Sequence, residues 1–478
     1  MESQNKAVFS REAAWLLVLA MLASVTYHFA HPFFLSPDYL HLPGVGLAIT
    51  QWALLGGCLM CAAREKRLRI TRGGVLLAVL SALLALCYAL YANDMLRLMN
   101  LPVLLALTVQ ALFSLCGHVT HPALSAAGLW EGLCRFFPAL GRYFSLPLRA
   151  MRQRFTVRDG RRSGLWLGIV VCVPVLAVIV WLLASADPVF RAFTDALFDR
   201  LGRFDLTLLR RLILFPLCGL LLFSLLYSCL SQGGAALAPN LSAVRAPVFA
   251  VSLAALTVVY AVFCYIQVRY LFGGIETALL QGGYAQYARS GFFQLVAAAC
   301  ITLALVAPPT VLYPAQRGMR ALCGAVSLLT VVITASAFFR MRLYILAHGM
   351  TLLRLLTLWA MLMILLALIC LLVKCIRPDL RLCPLLCTAA LCSWVALNLS
   401  CMPLQVARYN VRAYQTGQLA TLDTDHLSSL SPDAWPALES LGDSPDGSAA
   451  ADEICRKWED LTPVWYDWAL SWERAPHR

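Results

Sequence analysis

Charge is scarce in this sequence. Only 13% of its 478 residues are Asp, Glu, Lys or Arg, about half the share found in soluble proteins. Twenty-five acids and thirty-eight bases cannot clothe the several domains that a soluble chain of this length would form. The same scarcity excludes an intrinsically disordered chain, which needs high charge and few apolar residues. Familiar catalytic signatures are missing too. No HExxH, GxSxG, Walker loop or GxGxxG occurs in a fitting context. Ionised side chains avoid the centres of the long apolar segments, which counts against a proton-coupled or ion-coupled transporter. No clear internal repeat is present.

Apolar residues are abundant instead, at 60% of the chain, and the mean hydropathy is +0.74. These values predict an all-α, polytopic transmembrane helical bundle. A membrane-crossing helix needs about 20 mostly apolar residues, and eleven segments qualify: 13–30, 43–63, 74–93, 96–116, 164–184, 208–230, 246–267, 291–313, 318–339, 353–374 and 383–402. The third and fourth could instead be one interrupted hairpin, because only Asp94 and Met95 part them. The segment at 208–230 is less regular, with Arg210 and Arg211 near its start. The first segment is read as an uncleaved helix: 18 apolar residues is long for a signal peptide, and no small-x-small cleavage site follows.

Basic residues orient the chain. With the N-terminus in the cytoplasm, inner loops hold 21 bases and outer loops 11. The expected setting is the cell membrane, with the C-terminus outside. Residues 1–402 then form the transmembrane domain and 403–478 a tail with 12 acids against 6 bases. Two helices are expected in the tail. One lies around 404–440, with Ser431 and Pro432 marking a helix start. The other runs from Thr462-Pro463 to about 473.

The longest inner loop, 117–163, interleaves Trp130, Phe136, Phe137, Tyr143 and Phe144 with Arg135, Arg142, Arg149 and Arg152. Such a basic, aromatic stretch suits an anionic lipid leaflet. With no nucleic-acid fold beside it, nucleic acid is not expected as a partner.

Eighteen cysteines are present, most of them within apolar segments, where a thiol behaves as a small hydrophobe. A zinc site needs about four converging ligands. The Cys58-x-x-Cys61 pair has no companion pair, and neither does the Cys383, Cys387, Cys392 group. The paired histidines, His28/His31 and His118/His121, fall on opposite membrane faces. No metal and no cofactor are expected. Gln51, Gln110, Gln294 and Asn398 are the main amides at depth, and Gln110 suits interhelical hydrogen bonding.

Polar groups gather at the ends of spans. At about 100° per residue, Arg340, Tyr344, His348, Thr351 and Arg354 share a stripe roughly 120° wide if the helix continues past Gly349. Tyr284, Tyr287, Gly291 and Gln294 share another face. By span parity, Asp187, Tyr284, Tyr287, Arg289, Arg340, Tyr344, His348, Arg354, Arg408 and Asn410 could converge on one outer surface, as a ligand or partner site. Interfacial anchoring of Tyr and Arg remains the alternative for each. In the tail, Trp465, Trp468 and Trp472 follow i, i+3, i+7 spacing, an amphipathic stripe that could rest on the membrane or on a partner protein.

Several of these segments resemble a known family. The carriers are Tyr270-Leu-Phe-Gly-Gly274 with Tyr284-Ala-Gln-Tyr-Ala-Arg-Ser-Gly-Phe-Phe-Gln-Leu295, then Arg340-Met-Arg-Leu-Tyr-Ile-Leu-Ala-His-Gly-Met-Thr-Leu-Leu-Arg354, and Ala407-Arg-Tyr-Asn410 followed by Leu422-Asp423 and Leu427 to Leu438. Over roughly 160–440 the chain resembles domain-of-unknown-function family 4173, a relative of family 4153. It departs from the family in having His348-Gly349-Met350-Thr351 where Tyr-Gly-Leu-Thr is usual. It also lacks an Asp shortly before Ala407. The resemblance implies a bacterial multi-pass membrane protein and brings no activity. Three functions stay open: a binding, sensing or assembly component, which ranks first; a permease for a small or lipid-like solute; or a membrane enzyme acting on lipid or cell-wall precursor head groups.

Overall fold

A computed structural model describes residues 10–30, 44–150, 206–231, 246–272, 292–419, 421–441 and 468–474, together with Ile179, Leu183, Asp187, Asp452, Cys455 and Arg456. Among these residues there are fourteen α-helices and no strand. Eight helices are long and apolar enough to cross a membrane.

The chain divides into two compact units, residues 1–238 with 463–469, and residues 239–462 with 470–478. The first unit contains α1 (Arg11–Ala30), α2 (Val45–Arg64), α3 (Arg72–Leu90), α4 (Asp94–Leu115), α5 (Ala126–Arg142) and α6 (Leu206–Leu230). The second contains α7 (Ala246–Phe272), α8 (Phe292–Leu312), α9 (Arg317–His348), α10 (Leu352–Ile376), α11 (Leu382–Leu399), α12 (Met402–Gln415), α13 (Thr424–Ser429) and α14 (Trp435–Leu438).

Eight of the eleven expected spans are the crossing helices α2, α3, α4, α7, α8, α9, α10 and α11. The segments at 13–30 and 208–230 are helical as α1 and α6, and α6 is apolar over Leu214–Leu230. The segment at 164–184 lies outside the described residues apart from Ile179 and Leu183, which are helical. Residues 74–93 and 96–116 form two separate helices, since Asn93 caps α4 by accepting the Leu96 N–H at 3.0 Å.

In the first unit α1 packs on α6, and α2, α3 and α4 pack in sequence. At mid-depth Gln51, Ser81 and Thr108 tie α2, α3 and α4 together: Gln51 Nε2 donates to both hydroxyls, and the hydroxyls lie 2.8 Å apart. These polar groups satisfy one another, as groups inside hydrocarbon must. In the second unit α9 is the hub, packed on α7, α8 and α10. Its core centres on Cys323, Val326, Ile333 and Ala337 of α9 with Val306 and Met361.

The tail departs from the expected pair of helices. Helix α12 stops at Gln415, and Gly417, at φ +72°, turns the chain away before α13. Ser431 and Pro432 open a 3₁₀ turn at Pro432–Ala434 that leads into α14. Trp468 and Ala469 are not helical, and Leu470–Arg474 is a 3₁₀ turn. Here the Trp468 carbonyl accepts the Val45 N–H at 2.9 Å. Gly44 offers α2 no side-chain cap, so the tail satisfies a donor that the helix start leaves open.

Candidate functional site

The connection between α9 and α10 gathers four of the ten polar residues expected at the outer surface: Tyr344, His348, Arg354 and Asn410. Helix α9 is 32 residues long, or about 48 Å. The hydrocarbon layer is only about 30 Å thick. The helix therefore runs past the expected end at residue 339, and its last turns carry Tyr344 and His348.

Gly349 ends α9 with φ +74°. The helical stripe expected to reach Arg354 is thus interrupted, because this backbone conformation lies outside the helical region and is one that only glycine adopts readily. Thr351 then caps α10 by accepting the Arg354 N–H at 3.3 Å. The fold-back brings Arg354 onto Tyr344 by another route. Its guanidinium carbon lies 4.4 Å from the Tyr344 ring centroid, a cation–π pair. Tyr344 also meets the His348 ring, with centroids 4.7 Å apart. The Arg354 guanidinium donates to the His348 carbonyl at 2.9 Å and to the Gly349 carbonyl at 2.5 Å. A cation there satisfies the last carbonyls of α9 and complements its dipole.

Asn410 of α12 completes the arrangement. Its Oδ1 accepts the Met350 N–H at 2.7 Å and its Nδ2 donates to the Met350 carbonyl at 2.8 Å. A Cβ on residue 349 would fall 2.7 Å from Asn410 Oδ1, so glycine is required there twice over. His426 of α13 faces the same turn. Burial lowers its pKa and so does Arg354, against the opposing pull of Asp423 and the Met350 backbone. Two of the sequence segments that carry the family resemblance, Arg340–Arg354 and Ala407–Asn410 with its sequel through His426, thus meet around Gly349 and Met350; residues 273–291 of the other lie outside the described residues.

Other expected site residues lie elsewhere. Arg340 is buried, with its guanidinium 3.5 Å from Gln267 Oε1 of α7, which also accepts from Ser336. Arg408 is exposed on α12, two residues before Asn410 and so on a different side of the helix. His348, at the turn itself, is exposed as well. Asp187 is exposed, its N–H donating to the Leu183 carbonyl, and it belongs to the first unit. Tyr284, Tyr287, Arg289 and Trp465 lie outside the described residues. Trp468 is half-buried, and Trp472 falls in the Leu470–Arg474 turn. No group of three metal-ligating side chains occurs among the described residues.

A second polar cluster, in the first unit, escaped the sequence reading. Glu131 of α5 is 3% exposed and accepts from Arg135 at 2.8 Å and from the Thr120 N–H at 3.0 Å, with His121 at 3.5 Å. Burial would raise its pKa, but the Thr120 amide, Arg135 and His121 outweigh burial and hold the carboxyl below its ordinary value. Only the Glu131-x-x-x-Arg135 spacing hinted at this pair.

Comparison with known families decides the kinship. The family described as Domain of unknown function (DUF4153) matches residues 78–441. The chain belongs to this family. Family 4173, the nearer resemblance by sequence motifs, is thereby corrected to its relative DUF4153, and the match starts well before residue 160. Comparison with curated proteins finds no match, and comparison with solved structures finds none. This DUF4153 protein is a multi-pass membrane protein.

Proposed function

We propose that this DUF4153 protein is a binding, sensing or assembly component of a bacterial cell membrane, working through an extracytoplasmic polar surface at the α9–α10 turn. One observation carries the reading. The polar side chains at the turn are spent on its own backbone: Asn410 on Met350, Arg354 on His348 and Gly349, Thr351 on Arg354. They build a fixed platform that leaves His348 exposed, while Arg408 is exposed on another side of α12. Rigid presentation of a few polar groups suits recognition. A permease would instead need polar groups opening toward a path through the membrane, whereas Gln51, Ser81 and Thr108 satisfy one another.

The wider architecture belongs to the same proposal. The chain crosses the membrane about eleven times, with 1–402 as transmembrane domain and 403–478 as tail. The N-terminus is cytoplasmic, and anionic lipid faces the basic loop at 117–163. The Trp468 contact supports a tail at the membrane face where α2 begins, which the loop charges make the outer face.

The test is purification of the full chain from native membranes in mild detergent. A protein recovered in fixed stoichiometry supports the proposal. A retained lipid phosphate or cell-wall precursor with no such protein overturns it in favour of the permease or enzyme.

A further inference from the structure

We infer that α5 is an in-plane membrane helix, whose Trp130, Leu133 and Phe137 face takes lipid acyl chains at the leaflet where α4 and α6 end. The inference rests on the reading of the chain as bilayer-embedded and adds a lipid-contact surface to it.

The polarity of α5 comes first. The helix has 17 residues, short for a crossing helix. Trp130, Leu133 and Phe137, spaced i, i+3, i+7, are 44%, 52% and 67% exposed. Its one acid, Glu131, is buried and held by Arg135. A helix on a soluble protein turns its apolar stripe inward and its charges outward. Helix α5 does the reverse, so its outward face is built for an apolar medium.

Depth comes second. At its start, the Gly128 carbonyl accepts from Gln110 Nε2 at 3.0 Å, and the Ala123 carbonyl just before it accepts at 2.9 Å. Gln110 lies about 7.5 Å inside the end of α4, counting 1.5 Å per residue to Leu115. Toward its other end, the Ala139 carbonyl accepts from Ser224 and Ser228 of α6 at 2.8 Å and 3.2 Å. Those serines lie about 3–9 Å inside the end of α6 at Leu230. Both ends of α5 are therefore held about 3–9 Å short of the ends of α4 and α6, which overlaps the roughly 5–10 Å depth of interfacial amphipathic helices. Gly132 permits this approach, since a Cβ there would collide with the Gln110 amide oxygen.

Charge decides for lipid over protein. Residues 117–163 hold eight bases and only two acids, Glu131 and Asp159. With Glu131 turned inward, Arg142 and the exposed Arg149 follow an apolar face. This complements anionic head groups above acyl chains.

The experiment places the photoreactive residue p-benzoylphenylalanine at Leu133, at Phe137 and, as control, at Val79, an exposed position of the crossing helix α3. The full chain is irradiated in native membranes and analysed by intact mass. Phospholipid adducts at all three positions are expected. A discrete protein adduct at 133 and 137 overturns the inference, and so does a lipid adduct at 79 alone. Absence of lipid at 79 as well would remove the bilayer reading beneath it. If either α5 variant fails to accumulate, the same residue at Trp130 replaces it with the same expected outcomes.

Discussion

Asn410 holds Met350 by both ends of its side-chain amide, accepting the main-chain N–H at 2.7 Å and donating to the carbonyl at 2.8 Å. A helix after the last crossing helix thereby fixes the turn between α9 and α10. Replacing Asn410 by Ala leaves two Met350 backbone groups without these bonds, and buried groups stripped of partners cost about 1–3 kcal/mol. Gly349→Ala forces a side chain into a glycine-only conformation, at about 1–3 kcal/mol. Both variants should lower the thermal midpoint in detergent. Because a Cβ at 349 meets Asn410, the double variant should lose less than the two single losses together. Full additivity would show that the clasp is not a unit.

Arg354 and Tyr344 form a second pair whose worth is testable. Arg354→Lys keeps the charge but loses the planar fork that reaches both the His348 and Gly349 carbonyls while covering the ring. It should destabilise the fold nearly as much as Arg354→Ala. Denaturation of both variants, with and without Tyr344→Leu, checks this. Wild-type stability in the lysine variant would leave only a point-charge role for Arg354.

Acidity should loosen the turn through His426. Its folded pKa lies below the ordinary value of 6.5, chiefly by burial. The unfolded chain therefore takes up a proton first as pH falls. The stability that neutral His426 contributes is complete above about 6.5 and is lost as pH drops toward the lowered folded value. Thermal midpoints measured from about pH 7.5 to about 5.5 should fall less steeply in His426→Gln than in the wild type. Parallel profiles would remove His426 from the pH response.

The tail gives a prediction about topology. Reporter fusions after residues 68, 155, 280 and 470 should read inside, inside, outside, outside, because Trp468 meets the start of α2 and the most basic loops stay inside. A cytoplasmic reading at 470 would contradict the proposed orientation.

The spans were legible because long apolar segments leave few alternatives, and eight were recovered with ends within a few residues, apart from the end of α9. Sequence periodicity marked Tyr344, His348 and Arg354 as neighbours, and they are, but only Tyr344 and His348 through one helix. Gly349 breaks the period, and Arg354 returns by the fold-back, which periodicity cannot describe. The Asn410–Met350 clasp joins residues 60 apart, and a single sequence carries no signal for such a partner. Glu131 was hidden for the same reason: a charge in a basic loop reads as solvated until Thr120, His121 and Arg135 are seen around it. The Trp468 carbonyl shows the limit of side-chain patterns, since its contact with the start of α2 is made by backbone.

The central claim is that the platform at the α9–α10 turn presents His348, and the adjoining helix α12 presents Arg408, to a partner. The most direct measurement compares wild type with the double variant His348→Ala, Arg408→Ala in a deletion strain, at matched expression and matched thermal midpoint. The account predicts that the variant folds normally, fails to restore the deletion phenotype and loses the co-purifying protein. A variant that restores the phenotype fully and keeps that protein would contradict it.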